Sequence, residues 1–268
     1  MNTALDRLGV RAGATLLVHA SLRHVGAGPA AVLRALLAAV GPRGTVVVPT
    51  FTADNSDTSP SYAWRTIRMT EGEIRELRAR MPAFDRERTP SQGMGRLAEA
   101  VRCSAGAQRS AHPQTSFAAL GARARELMAG HDEACHLGER SPLARLEEAG
   151  AQVLLLGVGF EVCSAFHLGE YRVPGGAPSR TYACVVDRGG ARTWWRYEDI
   201  VLDDRDFGAL GADFERTSGV VRRGTVGGAE AALFPLADAV GHAARWLGRN
   251  RGRGVLTESS QNEAGSLH

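Results

Sequence analysis

Lysine is absent: all 32 basic side chains among the 268 residues are arginine. A Walker-type phosphate loop and a Schiff-base enzyme both require a lysine amine, so both are excluded. Long apolar runs are missing too. Stretches such as Val153–Val158 fall far short of the roughly 20 residues of a spanning helix, so no membrane partner is expected. Met1–Val10 shows no export-type apolar segment. Cysteine is sparse. Cys103, Cys135, Cys163 and Cys184 have no CxxC spacing, so no zinc ribbon or other metal site is expected. Reduced thiols of a cytoplasmic protein are the simplest reading. The net charge is only +3. No basic block is interleaved with aromatics, which argues against nucleic-acid binding.

What is present is an ordinary apolar content, 44%, enough for a sizeable core. Thr15–Ala20 and Thr45–Pro49 read as buried strands around a helix over Pro29–Val40. That β–α–β order argues for a parallel pair. A polar connection spans Thr50 to about Arg68. Helices are expected near 71–80, 93–103 and 121–130, with a short strand at Ser116–Leu120. Ser141-Pro142 opens another helix as N-cap and first-turn proline. Gln152–Val158 is the clearest buried strand. Arg180–Val186 and Ala191–Arg196 flank Asp187-Arg-Gly-Gly190 as a hairpin. Phe207–Arg216 reads as a helix, Val220–Val226 as the last strand and Ala229–Leu247 as the last helix. Residues 249–268 read as a mobile tail. The sum is one α/β domain over residues 1–248, with a mixed sheet flanked by helices.

Several residues bear chemistry. The Gly26-Ala-Gly28 step is a weak dinucleotide signal, because no acidic residue ends the Val46–Val48 strand. Cys163 lies four residues before His167, so a thiol–imidazole nucleophile is conceivable, although a small buried cysteine is the simpler reading. His131, Cys135 and His136 offer metal ligands without an evident full set. Arg109-Ser110 before His112-Pro113 suits either a turn or a phosphate-bearing cofactor. His167 follows the Gln152–Val158 strand by about one helical turn, where ligands of open α/β sheets gather. Glu170, three residues on, shares its helix face and is able to fix the imidazole tautomer. Glu198, Asp199, Asp203, Asp204 and Asp206 form an acidic run, either a solvated face or a surface for a cation.

Eight stretches in order resemble the aminoglycoside 3-N-acetyltransferase (antibiotic N-acetyltransferase) family over about residues 5–248. They are Leu17-Val-His-Ala-Ser-Leu22, Gly44–Phe51, Met81–Asp85, and Thr89-Pro-Ser with Met94-Gly95. Then come Arg109–Pro113 with Ser116, Gly138–Pro142, Val153–Val158 and His167-Leu-Gly-Glu170. The resemblance implies a single three-layer α/β/α domain with a mixed central sheet, distinct from the GCN5-type acetyltransferases. It implies acetyl-CoA as co-substrate, with Ser21, Leu22, Thr50 and Phe51 along the pantetheine path and Arg109, Ser110 and Ser116 near the cofactor. It makes His167 the catalytic histidine, with Glu170 and Asp199 as acidic partners. Asp54, Glu198, Asp203 and Asp204 are the carboxylates expected to receive a cationic amine. A homodimer is compatible with it. The sequence departs from the family at Cys163-Ser-Ala-Phe-His167 and at Gly169, where alanine is usual.

The expected reaction is acetyl transfer from acetyl-CoA to an amine, the 3-amino group of a 2-deoxystreptamine aminoglycoside, which confers resistance. His167 serves as general base, and Ser116 or backbone N–H groups stabilise the oxyanion. Three alternatives stand beside it: a biosynthetic N-acyltransferase for another amine, a non-catalytic CoA-binding protein, and a cysteine- or metal-dependent hydrolase.

Overall fold

The computed structural model describes residues 1–251. In chain order the elements are α1 (Asn2–Leu8), β1 (Thr15–Ala20), α2 (Pro29–Val40), β2 (Thr45–Pro49), α3 (Pro60–Thr66), α4 (Glu71–Arg80) and α5 (Gly95–Arg102). They continue with β3 (Gln108–Arg109), β4 (Phe117–Gly121), α6 (Ala124–Met128), α7 (Pro142–Glu148), β5 (Gln152–Leu156) and α8 (Ala165–Tyr171). The last are β6 (Ser179–Arg188), β7 (Ala191–Ile200), α9 (Phe207–Ser218), β8 (Arg222–Val226), β9 (Ala229–Pro235) and α10 (Leu236–Asn250).

Side-chain alternation along the strands decides the layering. Leu17, Val47, Val153 and Leu155 face one cluster, built with Leu127, Leu143, Phe166, Phe214 and Val240 from α6 to α10. Their neighbours Leu16, Val18, Val46, Val48, Leu154 and Leu156 face the other, with Leu5, Val32, Leu36, Leu97 and Val101 from α1, α2 and α5. Strands covered on both faces read as continuous apolar runs. Each fully buried leucine or valine there contributes roughly 1.5–3 kcal/mol. The seven strands run in the order β3-β4-β2-β1-β5-β9-β8. β1 pairs parallel with β2 and β5, and the remaining junctions are antiparallel. The architecture is therefore the expected three-layer α/β/α domain with a mixed sheet.

β1 and β5 end side by side. The Ser21 N–H donates to Leu156 O at 2.9 Å. Gly157 follows with φ +66°, and a Cβ there would stand 2.6 Å from Ser21 O. Only glycine lets the two strand ends close this tightly. Beyond them opens the crevice that parallel strands leave at their carboxyl ends.

The structure corrects the reading of the chain at four places. Ala229–Pro235 is a strand, not the start of the last helix. The Ala-rich composition favours a helix, but Ala231 and Leu233 face one core while Ala232 and Phe234 face the other. That period of two, after a Gly227-Gly228 turn, seats β9 between β5 and β8; the helix starts only at Leu236. The polar connection after Thr50 contains α3, whose N-cap Ser59 accepts from Tyr62 N at 3.1 Å. The hairpin is longer than expected and forms its own two-stranded sheet. It leans on the 50s connection, with Val185 N–H donating to Asn55 O at 2.7 Å and Ser56 Oγ donating to Ala183 O at 2.8 Å. Finally, α10 continues to Asn250, and Arg251 is bound to the domain. The rest of the expected tail lies outside the described residues. Among those described, no helix is long and apolar enough to cross a membrane.

Candidate active site

Residues Ser164–Tyr171 turn helical directly beyond the end of β5, which brings His167 and Glu170 to the crevice on one face of α8. Glu170 Oε2 lies 2.6 Å from His167 Nδ1. Glu170 is 1% exposed, and its other oxygen accepts from the Asp203 N–H at 3.1 Å. A carboxylate at Nδ1 fixes a proton there in the neutral ring, leaving Nε2 as the atom able to accept another. The Phe207 ring, 4.7 Å away between centroids, holds the imidazole from α9.

His167 lines a cavity of about 650 Å³. Ser21, Leu22, Phe51, Ser164 and Phe207 share its wall. Two charge types reach it from opposite layers. Arg23, after β1, and Arg96, on α5, come from the layer of α2 and α5; neither has a hydrogen-bond or ion-pair partner among the described residues. Asp204, before α9, and Glu161, after β5, come from the layer of α8 and α9. Asp204 also lacks an ion-pair partner among the described residues. Arg23, Arg96 and Glu161 carry no strong sequence signal beyond standing just after a strand or at a helix start.

His19 is a further residue of the site. It is a polar residue inside an apolar strand, two residues after Leu17 and therefore on the same face as α8. It lines the cavity, yet is 5% exposed, and its Nε2 has no partner among the described residues. Burial, and then the charge of a protonated His167, push its pKa down to about 4. His19 is a neutral ring at working pH.

Four of the expected cofactor residues sit behind this wall, not in it. Arg109 is 5% exposed. Its Nη2 donates to Thr50 O at 2.9 Å, its Nη1 to Thr89 O at 2.5 Å, and its Nε to Ser116 Oγ at 2.9 Å. A guanidinium so engaged has little left for a phosphate, and burial pushes its pKa down to about 10. Ser116 Oγ donates to Thr50 O at 2.9 Å, so it is not available to an oxyanion. Thr50 Oγ1 is within 3.1 Å of Ser116 O. Ser110 Oγ meets His131 Nδ1 at 2.9 Å and accepts from Phe117 N. This buried lattice pairs the chain after β2 with the chain before β4, and thereby presents Phe51 to the cavity.

Asp199 needs the plainest correction. Its Oδ2 accepts from His136 N at 2.7 Å, lies 2.8 Å from His136 Nδ1, and accepts from Tyr171 Oη at 2.7 Å. It orients His136, not His167. His136 packs against His112, and His112 against His131, as tilted rings with centroids 4.7 and 4.9 Å apart. All three rings are buried, and burial lowers each pKa, that of His131 to about 4. The acidic run is likewise divided by the fold. Asp203 pairs with Arg205 at 2.7 Å and is held at about 2. Glu198 is exposed on the hairpin, where it accepts from Thr181 Oγ1. Asp54 lines a separate hollow and faces Arg65 at 3.6 Å. Asp204 alone of the expected set opens on the cavity. Cys163 is fully buried, and burial pushes its thiol up to about 12. It precedes α8 and has no exposed surface from which a thiol could reach a substrate, which argues against the thiol route.

The sequence profile of the aminoglycoside 3-N-acetyltransferases matches residues 17–248. The chain belongs to that family. It is 38% identical over 276 residues to aminoglycoside N(3)-acetyltransferase VII of Streptomyces paromomycinus, covering 93% of this chain and 92% of the other. It is 34% identical to the aminoglycoside N(3')-acetyltransferase-like protein YokD of Bacillus subtilis, over 94% of this chain and 92% of that one. The YokD crystal structure superposes with a TM-score of 0.88, at 33% identity, covering 94% of this chain and 93% of that one. A family structure described as AAC-IIIb binary with CoASH matches at TM-score 0.80 and 29% identity, covering 92% and 94% of the two chains. This chain is thus an acyltransferase of the family. Its departures from the family pattern point mostly away from the cavity. Phe166 is buried against Phe207 and Phe214, and Gly169 faces α10, where a Cβ would meet Ala243 Cβ at 2.6 Å.

Proposed function

We propose that this acyltransferase moves the acetyl group of acetyl-CoA to a primary amine of a cationic acceptor, the 3-amino group of a 2-deoxystreptamine aminoglycoside, and so confers resistance. One observation carries the reading: a tautomer-fixed His167–Glu170 pair opens on a cavity that receives arginines from one layer and carboxylates from the other.

An ammonium has no free lone pair, so the acceptor must lose a proton before its nitrogen attacks. His167 Nε2 takes that proton, and Glu170 stabilises the imidazolium that forms. The thioester supplies an activated acyl group. Arg23 and Arg96 fit its phosphates, being guanidiniums at the cavity without a partner among the described residues, and Leu22 and Phe51 fit the pantetheine arm. Asp204 and Glu161 draw the cationic acceptor toward the opposite side. Ser21, Ser164 and the neutral His19 ring are side chains of the wall that, beside backbone N–H groups, are able to donate to the acyl oxygen as it gains charge. Transfer is direct within one ternary complex: the N–C bond forms, the C–S bond breaks, and CoA leaves as the thiol, so that of the two protons the ammonium loses one ends on sulfur and the other passes through His167 to solvent. A cytoplasmic site of action goes with a reaction that consumes acetyl-CoA.

The test is a thiol-release assay with acetyl-CoA and kanamycin-, gentamicin- and apramycin-type acceptors, with the modified nitrogen located by NMR. His167→Ala lowers turnover by about 10² to 10⁴ while CoA still binds. Near-full turnover of that variant removes His167 from the reaction. Turnover of other amines, with none of the aminoglycosides, favours the biosynthetic alternative.

A further inference from the structure

Arg251 stands just past the end of α10, beyond the family match, and no motif marks it. Its side chain nevertheless reaches back to the site. Nη1 lies 2.5 Å from Glu170 Oε1, Nε 2.8 Å from Asp206 Oδ2, and Nη2 2.5 Å from Asp206 Oδ1; Nη2 also donates to Asp203 O. One guanidinium therefore grips the carboxylate that orients His167 and both ends of the loop that carries Asp204.

We propose that Arg251 is a positioning residue for acetyl transfer, clamping the His167–Glu170 pair and the Asp203–Asp206 loop to the end of α10. The inference rests on His167 being the base. Glu170 is 1% exposed, and a buried carboxylate without a cation is costly. Its Oε2 faces His167, and among the described residues its Oε1 has Arg251 and the Asp203 N–H, so the guanidinium supplies compensating charge. The backbone supports the clamp, since Arg251 N–H donates to Leu247 O at 2.8 Å. Burial works against the guanidinium's charge, yet the bonds to Asp206 and Glu170 prevail and raise its pKa above the ordinary value.

Several charged and titratable groups among the described residues surround the pair. They are His19 on β1, His136 before α7, Tyr182 on β6, and Asp203, Asp204, Arg205 and Asp206 before α9. Removing Arg251 leaves this set more negative beside His167. The acid limb of the rate profile is the readout of that change.

The experiment measures kcat/KM against pH, with acetyl-CoA and a kanamycin-type acceptor, for the full chain carrying Arg251→Gln or Arg251→Lys. Thermal melting and CoA binding are measured alongside. Arg251→Gln should move the acid limb up by about one pH unit and lower kcat about 10-fold at neutral pH, with CoA affinity unchanged. Arg251→Lys, which keeps the charge and loses the fork, should return the limb to its wild-type position while kcat stays several-fold low. An unmoved limb in Arg251→Gln, with only the melting temperature reduced, makes Arg251 a structural anchor and overturns the proposal. If the glutamine variant does not fold, Arg251→Lys decides, because wild-type kcat there also overturns it. Failure of the underlying reading looks different: His167→Ala would then stay active whatever Arg251 does.

Discussion

Glu170 Oε2 sits 2.6 Å from His167 Nδ1, one helical turn along α8. A glutamine keeps the shape and loses the charge that favours the imidazolium. Glu170→Gln is expected to lower kcat about 10- to 10²-fold, with CoA affinity unchanged. Isothermal titration with CoA alongside steady-state assays checks both parts; equal kcat in variant and wild type would dismiss the carboxylate's role.

Asp203 and Asp204 are neighbours in sequence with opposite fates. Asp203 is tied to Arg205, whereas Asp204 opens on the cavity. Asp204→Asn should raise the acceptor KM about 3- to 10-fold and weaken its salt dependence, whereas Asp203→Asn should change KM little. Matched KM values for the two variants would mean that the loop is only a solvated face.

Arg23 and Arg96 are expected to grip the phosphates of CoA. Arg23→Gln and Arg96→Gln should each weaken CoA binding about 10-fold, or ~1.4 kcal/mol. Pantetheine, which lacks the nucleotide, should bind both variants as it binds the wild type. Titrations with the two ligands separate the cases.

Gly169 lets α8 lie against α10. A Cβ at this position would stand 2.6 Å from Ala243 Cβ and 2.9 Å from Ala244 N. Gly169→Ala should therefore cost about 1–3 kcal/mol by overpacking, despite the gain in helix propensity. Urea unfolding measures it, and a more stable variant would show that the helices can part freely.

His19 and His131 are both held at about 4, below the ordinary 6.5. Between those values the unfolded chain binds protons that the folded one refuses. Stability is thus greatest above pH ~6.5 and falls as the pH drops toward 4. By pH 5 each ring should have removed about 2 kcal/mol. His112 and His136 shift the same way. Denaturant unfolding at pH 8, 6 and 5 tests this, and His131→Gln should flatten the slope.

The layers were legible because their periodicity was strong: β1, β2 and β5 are apolar on both faces, and α2 has one apolar stripe. Ala229–Pro235 misled because alanine suits a helix, and only the pairing with β5 makes it a strand. His167 and Glu170 could be paired from their spacing alone, since three residues on a helix fix a contact. Asp199 could not be placed, because its partner His136 lies 63 positions away and is reached only through the hairpin. Arg109 was misplaced for a similar reason. A charged residue in a motif suggests a ligand, whereas the carbonyls that engage this one come from distant loops. His19 stood out only as a polar residue in an apolar strand, and Arg251 gave no local signal; the roles of both become visible once β1 and the end of α10 converge on α8.

The carboxylate of Asp204, which has no ion-pair partner among the described residues, bears on turnover as well as on capture. Under the proposed reaction an ammonium enters and an uncharged amide leaves. The attraction that concentrates the guest at the mouth therefore weakens by one charge during the reaction, and the acetylated compound, still cationic at its other amines, is held less firmly than the one that entered.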